Sequence, residues 1–220
     1  MTRRALRERA ADEDGFTMVE LSVAMLLTVM IMTALVSVFY AFSQNAVDQG
    51  QHAELQREMR TVMSELVMDL RQAVAPSESA SAYPIESLTA DRIVFYTDQH
   101  ESEGPERTVY ERTDCLAGFC ELWVTRYAAV PGTGPNWDFA ETPFEESFLL
   151  GRVRSDEAMF RVADWTGDPK TKTYGSSCGG AAPRCDEPIV AVSLRAIPTG
   201  TSAAAASTFE IVEEVTLRNA

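Results

Sequence analysis

Gly15-Phe16-Thr17-Met18-Val19-Glu20-Leu21 opens an apolar run that ends near Phe42 and places one carboxylate, Glu20, inside it. The remainder of the run is Leu, Val, Met, Ala, Ile and Phe. At roughly 1.5 Å per residue a helix of this length crosses a hydrocarbon core about 30 Å thick. An acid at membrane depth costs at least about 2.5 kcal/mol at a helix centre, so Glu20 calls for a functional reason and a partner.

The residues ahead of the run decide what kind of membrane segment it is. Residues 1–15, MTRRALRERAADEDG, hold Arg3, Arg4, Arg7 and Arg9, then Asp12, Glu13 and Asp14, and almost nothing apolar. In a secretory signal peptide the small-residue cleavage site follows the apolar core, which is then discarded. Here the small residue, Gly15, precedes it. Cleavage at Gly15 would leave the apolar helix as the new N-terminus. The arginines hold the leader in the cytoplasm by the positive-inside rule, and the C-terminal part is expected to face outward.

These residues carry a family resemblance. Gly15 followed by Phe16-Thr17-Met18-Val19-Glu20-Leu21 resembles the type IV prepilin cleavage and methylation motif of type IV pilins and type II secretion pseudopilins. The resemblance implies cleavage after Gly15 by a prepilin peptidase, methylation of the new amine on Phe16, and an assembly role for Glu20 at the fifth mature position. Met18 stands where Leu is common, a conservative departure. The physics runs parallel to the motif. Cleavage creates an ammonium at Phe16, and an ammonium and a carboxylate attract strongly in a poor dielectric where either alone is costly. Glu20 is expected to pair with a Phe16 amine, its own or that of a neighbouring subunit, as a register device. The competing reading has Glu20 near the interface, reaching water.

Beyond Phe42 the chain turns polar, and Leu55, Met59, Val62, Leu66, Leu70 and Val74 recur at intervals of three and four, the pattern of a helix with one apolar face. Glu54, Arg57, Glu58, Arg60, Glu65, Asp69 and Arg71 read as its solvated surface. Pro76 reads as the stop, because the residue before a proline is pushed out of helical geometry. One helix is therefore expected from about Thr17 to Ala75. Gly50, at a cost of about 1 kcal/mol in a helix interior, marks either a bend or local melting between Asn45 and Gly50, or a tolerated surface glycine.

Downstream, Asp91–Thr97, Thr108–Arg112, Glu121–Tyr127, Ile189–Arg195 and Phe209–Arg218 are rich in branched and aromatic residues and read as strands. They suggest an antiparallel sheet whose inner face packs on the amphipathic half-helix. Roughly 145 residues follow Pro76, enough for one ordinary core. The expected fold class is α+β and pilin-like. It has a cytoplasmic leader over 1–15, a membrane-spanning and polymerising half-helix over 16–43, an amphipathic half over 44–75, and an extracytoplasmic β-rich head over 76–220. Ala75–Ser81, Pro131–Asn136, Thr166–Glu187 and the low-complexity Thr201–Ser207 read as connections, the last between the final two strands.

Four cysteines form two local pairs in sequence, Cys115 with Cys120 and Cys178 with Cys185. Four cysteines permit three connectivities and spacing does not choose among them. Local pairing is the simplest, since Ala117-Gly118 and Gly179-Gly180 with Pro183 let each segment fold back, and disulfides suit an extracytoplasmic compartment. A four-thiolate zinc site competes, although neither spacing gives the usual knuckle in both halves.

No enzyme signature emerges, and neither a catalytic residue nor a cofactor is expected. His52, within the helix, and His100, in a loop, lie near no nucleophile or metal-ligand motif and read as solvated. Asp164 and Asp168 around Thr166-Gly167 offer hard oxygen ligands for calcium, but their spacing is not an EF-hand and a solvated acidic loop explains them. With 19 basic and 33 acidic residues the net charge is −14. The leader holds four of each sign, so the rest of the chain keeps the whole excess. Direct nucleic-acid binding is not expected of such a surface without a basic stripe.

The end of the helix, Arg60–Ala73, with Arg92–Tyr96 and Val215–Asn219, resembles the minor pilin W and pseudopilin J group, which implies a low-abundance subunit that joins other subunits in a tip complex priming fibre assembly. The leader end Asp12-Glu13-Asp14-Gly15 also resembles some Gram-positive prepilins. Two functions follow from the resemblance. One is a structural subunit anchored in the cytoplasmic (inner) membrane and built into a type IV pilus or type II secretion pseudopilus. The other is a binding module displayed on such a fibre for adhesion, DNA uptake or an exported substrate, acting through the loops at Pro131–Asn136 and Thr166–Glu187. A membrane-tethered domain that never polymerises is the third and plainest reading.

Overall fold

The structure, a computed structural model, describes residues 17–77, 83–99, 104–164, 173–175, 189–198 and 208–217. Contact density divides the chain into two compact units, Met1–Gly50 and Gln51–Ala220. Helix α1, Met18–Arg71, runs through both.

In the first unit α1 is apolar on every side, and its large side chains from Met18 to Phe42 are exposed. An 18-residue window has a mean hydropathy of 2.4 and none of it is buried by the rest of the chain, so this helix is long and apolar enough to cross a membrane. Its few hydroxyls are satisfied locally. Ser22, Thr28, Thr33 and Ser37 each donate to the carbonyl four residues earlier, at 2.7–2.9 Å. That arrangement removes the need for water along the span. Helical structure continues through Gly50, so the local melting considered for Asn45 to Gly50 does not occur.

In the second unit, α1 from Gln51 onward packs its apolar stripe on a nine-stranded antiparallel sheet. The strands are β1 Ile85–Leu88, β2 Arg92–Thr97, β3 Glu106–Leu116, β4 Phe119–Tyr127, β5 Glu145–Arg154, β6 Phe160–Asp164, β7 Thr173–Gly175, β8 Ile189–Ala196 and β9 Phe209–Thr216. They follow the order β1-β2-β3-β4-β5-β8-β6-β7, with β9 also on β8. The first five form a meander. It meets the second group through one residue pair, Val153 with Ala196, so the sheet is nearly split there. β8 and β9 pair along their whole lengths, from Ile189–Thr216 to Ala196–Phe209, as expected of strands joined by the Thr201–Ser207 stretch.

Leu55, Met59, Val62, Leu66 and Leu70 lie in the core as the periodicity predicts, and Met63 and Val67 widen the stripe. They meet Ile93, Phe95, Tyr110, Leu122, Val124, Leu150, Val192, Leu194 and Val215 from the sheet. Each fully buried Leu or Met side chain contributes about 1.5–3 kcal/mol before the entropy of ordering it.

Three expectations are corrected here. The helix ends at Arg71, short of Ala75, and Pro76 is not what stops it. Ala73 forms a β-bridge with Thr97, and the Val74 N–H donates to the Tyr96 carbonyl at 2.9 Å, so sheet hydrogen bonds take the chain before the proline acts. Val74 is accordingly half-buried outside the helical stripe. Asp69 lies on the buried face, at 1% exposure, and not on the solvated surface. Strands β1, β5, β6 and β7 were not visible in the sequence pattern; β5 begins with two acids and holds Gly151, which breaks the alternation.

Candidate functional site

The first candidate is the start of α1. Gly15 and Phe16, the expected cleavage and methylation positions, lie outside the described residues. Glu20 lies within them. Its Oε2 accepts from the Thr17 N–H at 3.0 Å and from Thr17 Oγ1 at 2.9 Å, while Thr17 Oγ1 accepts from the Glu20 N–H at 3.2 Å. This is a reciprocal capping box, in which residues three apart satisfy donors that the first helical turn leaves unpaired. Thr17 and Glu20 are both exposed. The sequence held this signal in Thr17-Met18-Val19-Glu20, and a reading of Glu20 as a partner for an amine alone missed it.

The second site was not anticipated. Asp69 on α1 faces the sheet and gathers three donors: Tyr110 Oη at 2.7 Å, Arg126 Nη2 at 2.8 Å and Gln99 Nε2 at 2.8 Å. Arg126 on β4 also reaches Glu145 Oε2 at 2.8 Å and Glu65 Oε1 at 3.5 Å. Strand alternation puts Arg126 inward between Val124 and the end of β4, and the i,i+4 spacing aligns Glu65 with Asp69 above it. Burial, then the charge and hydrogen bond of Asp69, push the Tyr110 phenol far above its ordinary value, so it stays a neutral donor. A buried acid, phenol and guanidinium joined through the Asp69 carboxylate form a network that ties α1 to β3, β4 and β5, with Arg126 Nε buried and left out of it. The arrangement reads as structural.

The third region is the β3–β4 hairpin. Cys115 and Cys120 form a disulfide across its tip, the local pairing that the intervening Ala117-Gly118 favoured, and both sulfurs are thereby lost to any four-thiolate zinc site. Ala117 and Gly118 adopt left-handed conformations, φ 51° and 85°, which lets the chain reverse between the two cysteines. Cys178 and Cys185 lie outside the described residues, as do His100 and Asp168. His52 is half-buried, its ring edge-on to Phe209 at 5.2 Å between centroids. Among the described residues no group of His, Cys, Asp and Glu is arranged to hold a metal ion.

No family model matches this chain, and no curated protein or solved structure matches it.

Proposed function

We propose that this chain is a minor pilin or pseudopilin: a structural subunit cut after Gly15 by a prepilin peptidase, methylated at Phe16, and assembled through its apolar half-helix into, or as a primer of, a type IV pilus or type II secretion pseudopilus. The observation that carries the reading is the Thr17–Glu20 capping box at the head of an apolar, unburied helix. It holds the Glu20 carboxylate at the helix N-terminus against Thr17, and Phe16 precedes Thr17 in sequence, so cleavage would create an ammonium on the residue next to the one that caps that carboxylate. A helix N-terminus favours negative charge, and a neighbouring ammonium completes the neutralisation. In this reading Glu20 serves its own helix first and a subunit contact second. The second half of α1, carrying the sheet, supplies the head that a fibre subunit displays outside the cytoplasmic membrane.

The test is co-expression with an active prepilin peptidase and mass analysis of the N-terminus. The expected product begins at methylated Phe16, and the Gly15→Leu variant stays uncut. A chain that keeps residues 1–15 beside an active peptidase overturns the reading. Glu20→Leu is expected to be processed normally yet to fall out of the fibre fraction; unchanged incorporation would sink the pairing role while leaving cleavage standing.

A further inference from the structure

The flank of α1 and strand β9 enclose an open cleft of about 430 Å³, lined by Arg60, Met63, Met68 and Arg71 from the helix and by Ile211 and Glu213 from the strand. Its apolar floor is in part uncovered: Met63 is buried, Ile211 half-buried and Met68 55% exposed. Ile211 and Glu213 are two apart on β9 and share the face turned to the helix, while Val212 between them is exposed on the other.

β9 is also an open sheet edge. It pairs with β8 from Ile189–Thr216 to Ala196–Phe209 without a bulge, and among the described residues no strand pairs with its other side. Natural edges are blunted by prolines, lysines or bulges, and β9 carries none of these. A second copy is a poor occupant, because Glu210, Glu213 and Glu214 would stand against the same acids across the new pair.

The helix side of the cleft selects a different occupant. Arg92, Arg107, Arg112, Arg126, Arg154 and Arg195 each hold an acid of the chain. Arg60 and Arg71 are exposed, and among the described residues neither has an ion-pair partner. They stand about three turns apart on one side of the helix, roughly 16 Å along its axis. Two acids four residues apart on an added strand lie roughly 13 Å apart on one face, within reach of both flexible arginines, and the side chain midway falls over Met68 and Ile211. Exposed charges beyond about 8 Å are screened at physiological ionic strength, so these two arginines outweigh the net −14 of the chain for a ligand seated between them. Glu213 is the acid of the lining and opposes such a ligand.

We propose that this cleft is a docking site for an extended segment of a partner protein, which adds a strand to the free edge of β9, places an apolar side chain over Met68 and Ile211, and sets carboxylates on Arg60 and Arg71. Main-chain pairing supplies affinity in this mode, and the alternate side chains supply selection. The proposal does not depend on the fibre reading, since it concerns only the head.

The test uses the full chain in detergent micelles and the capped, fluorescently labelled peptide Thr-Glu-Thr-Leu-Thr-Glu-Thr, whose two Glu and one Leu share a face when extended. Binding is read by anisotropy, and strand addition by slowed amide exchange over Phe209–Thr216. The expected result is saturable binding that protects β9 and is largely lost when Gln replaces both Glu or when the peptide is N-methylated at every residue. Arg60→Gln and Arg71→Gln are each expected to weaken binding about fivefold, the size of one exposed ion pair, and Glu213→Gln to strengthen it. Arg57→Gln makes the same charge change at a residue already paired with Glu54 and should leave binding unchanged. No saturable binding, equal binding of the Gln or N-methylated peptide, an unprotected β9, weaker binding by Glu213→Gln, or equal weakening by Arg57→Gln overturns the proposal. Protection of β9 that rises with protein concentration without peptide, with dimers in sedimentation, assigns the edge to a second copy and also overturns it.

Discussion

Replacing Asp69 by Ala is the sharpest perturbation of the head. The variant removes the acceptor of Tyr110, Arg126 and Gln99 at once. Deleting one partner of a buried ion pair costs about 3–5 kcal/mol, because the remaining charge is left uncompensated. Arg126 retains Glu145 at 2.8 Å and a weak contact to Glu65 at 3.5 Å, which places the loss from that pair at the lower end. The orphaned Tyr110 hydroxyl adds about 1 kcal/mol, and the contributions overlap, so about 3–4 kcal/mol is expected. For a unit of this size that lowers the thermal midpoint by roughly 6–16 °C. The assay is equilibrium unfolding of the full chain in detergent, followed by near-ultraviolet circular dichroism, which reports packing of the head's aromatic residues. The matched triple variant Asp69→Leu, Tyr110→Phe, Arg126→Met exchanges the buried acid, phenol and guanidinium for apolar groups and should cost less than Asp69→Ala alone. A loss below about 1 kcal/mol for Asp69→Ala, or a triple variant as damaged as the sum of its parts, refutes the account of a coupled buried network.

Two further outcomes follow from other contacts. The Arg107 hydrogen bond, opposed by burial, holds the Glu86 carboxyl below its ordinary value of 4.5. A depressed folded value means the unfolded chain binds the proton more readily, so the stabilisation is present in full above about pH 4.5 and is lost as pH falls through the folded value. The difference in thermal midpoint between wild type and Glu86→Gln should therefore shrink on going from about pH 7 to about pH 3, and a constant difference contradicts it; the side chain is 35% exposed, so solvent screening keeps the effect modest. Replacing Cys115 and Cys120 together by Ser opens a short loop and is expected to cost about 2 kcal/mol in denaturant unfolding; an unchanged midpoint contradicts it.

Much of the architecture was legible because it rests on periodicity. The apolar run, the three-and-four stripe from Leu55 to Leu70, and strands β2, β3, β4, β8 and β9 are patterns that solvent imposes on any chain of this kind. Asp69 was read as solvated with the other charged residues of the amphipathic half of α1; its burial depends on Arg126 and Tyr110, which are distant in sequence and adjacent only in the fold. The helix end was misplaced for a related reason. Pro76 is a local signal, whereas the bridge from Ala73 to Thr97 is a tertiary one that acts earlier along the chain.

The two acids of α1 that matter most stand in opposite positions, and the contrast bears on what the helix does. Asp69 is enclosed and fully met by donors from the same chain, including the guanidinium of Arg126. Glu20 is exposed, and its partners among the described residues are the hydroxyl and amide of Thr17, which are dipoles and not charges. The side chains around it, Met18, Val19, Leu21 and Val23, are likewise left uncovered by the chain itself. Lipid alone would satisfy those apolar groups, since a hydrocarbon environment asks nothing further of Leu or Val. It would not satisfy a carboxylate, whose dipolar cap offsets only part of the cost of leaving water. A cation must approach from outside the described residues, or Glu20 must stay at the water boundary. Cleavage after Gly15 would create such a cation beside it, which is why processing and assembly are joined in one proposal and why Glu20→Leu separates them.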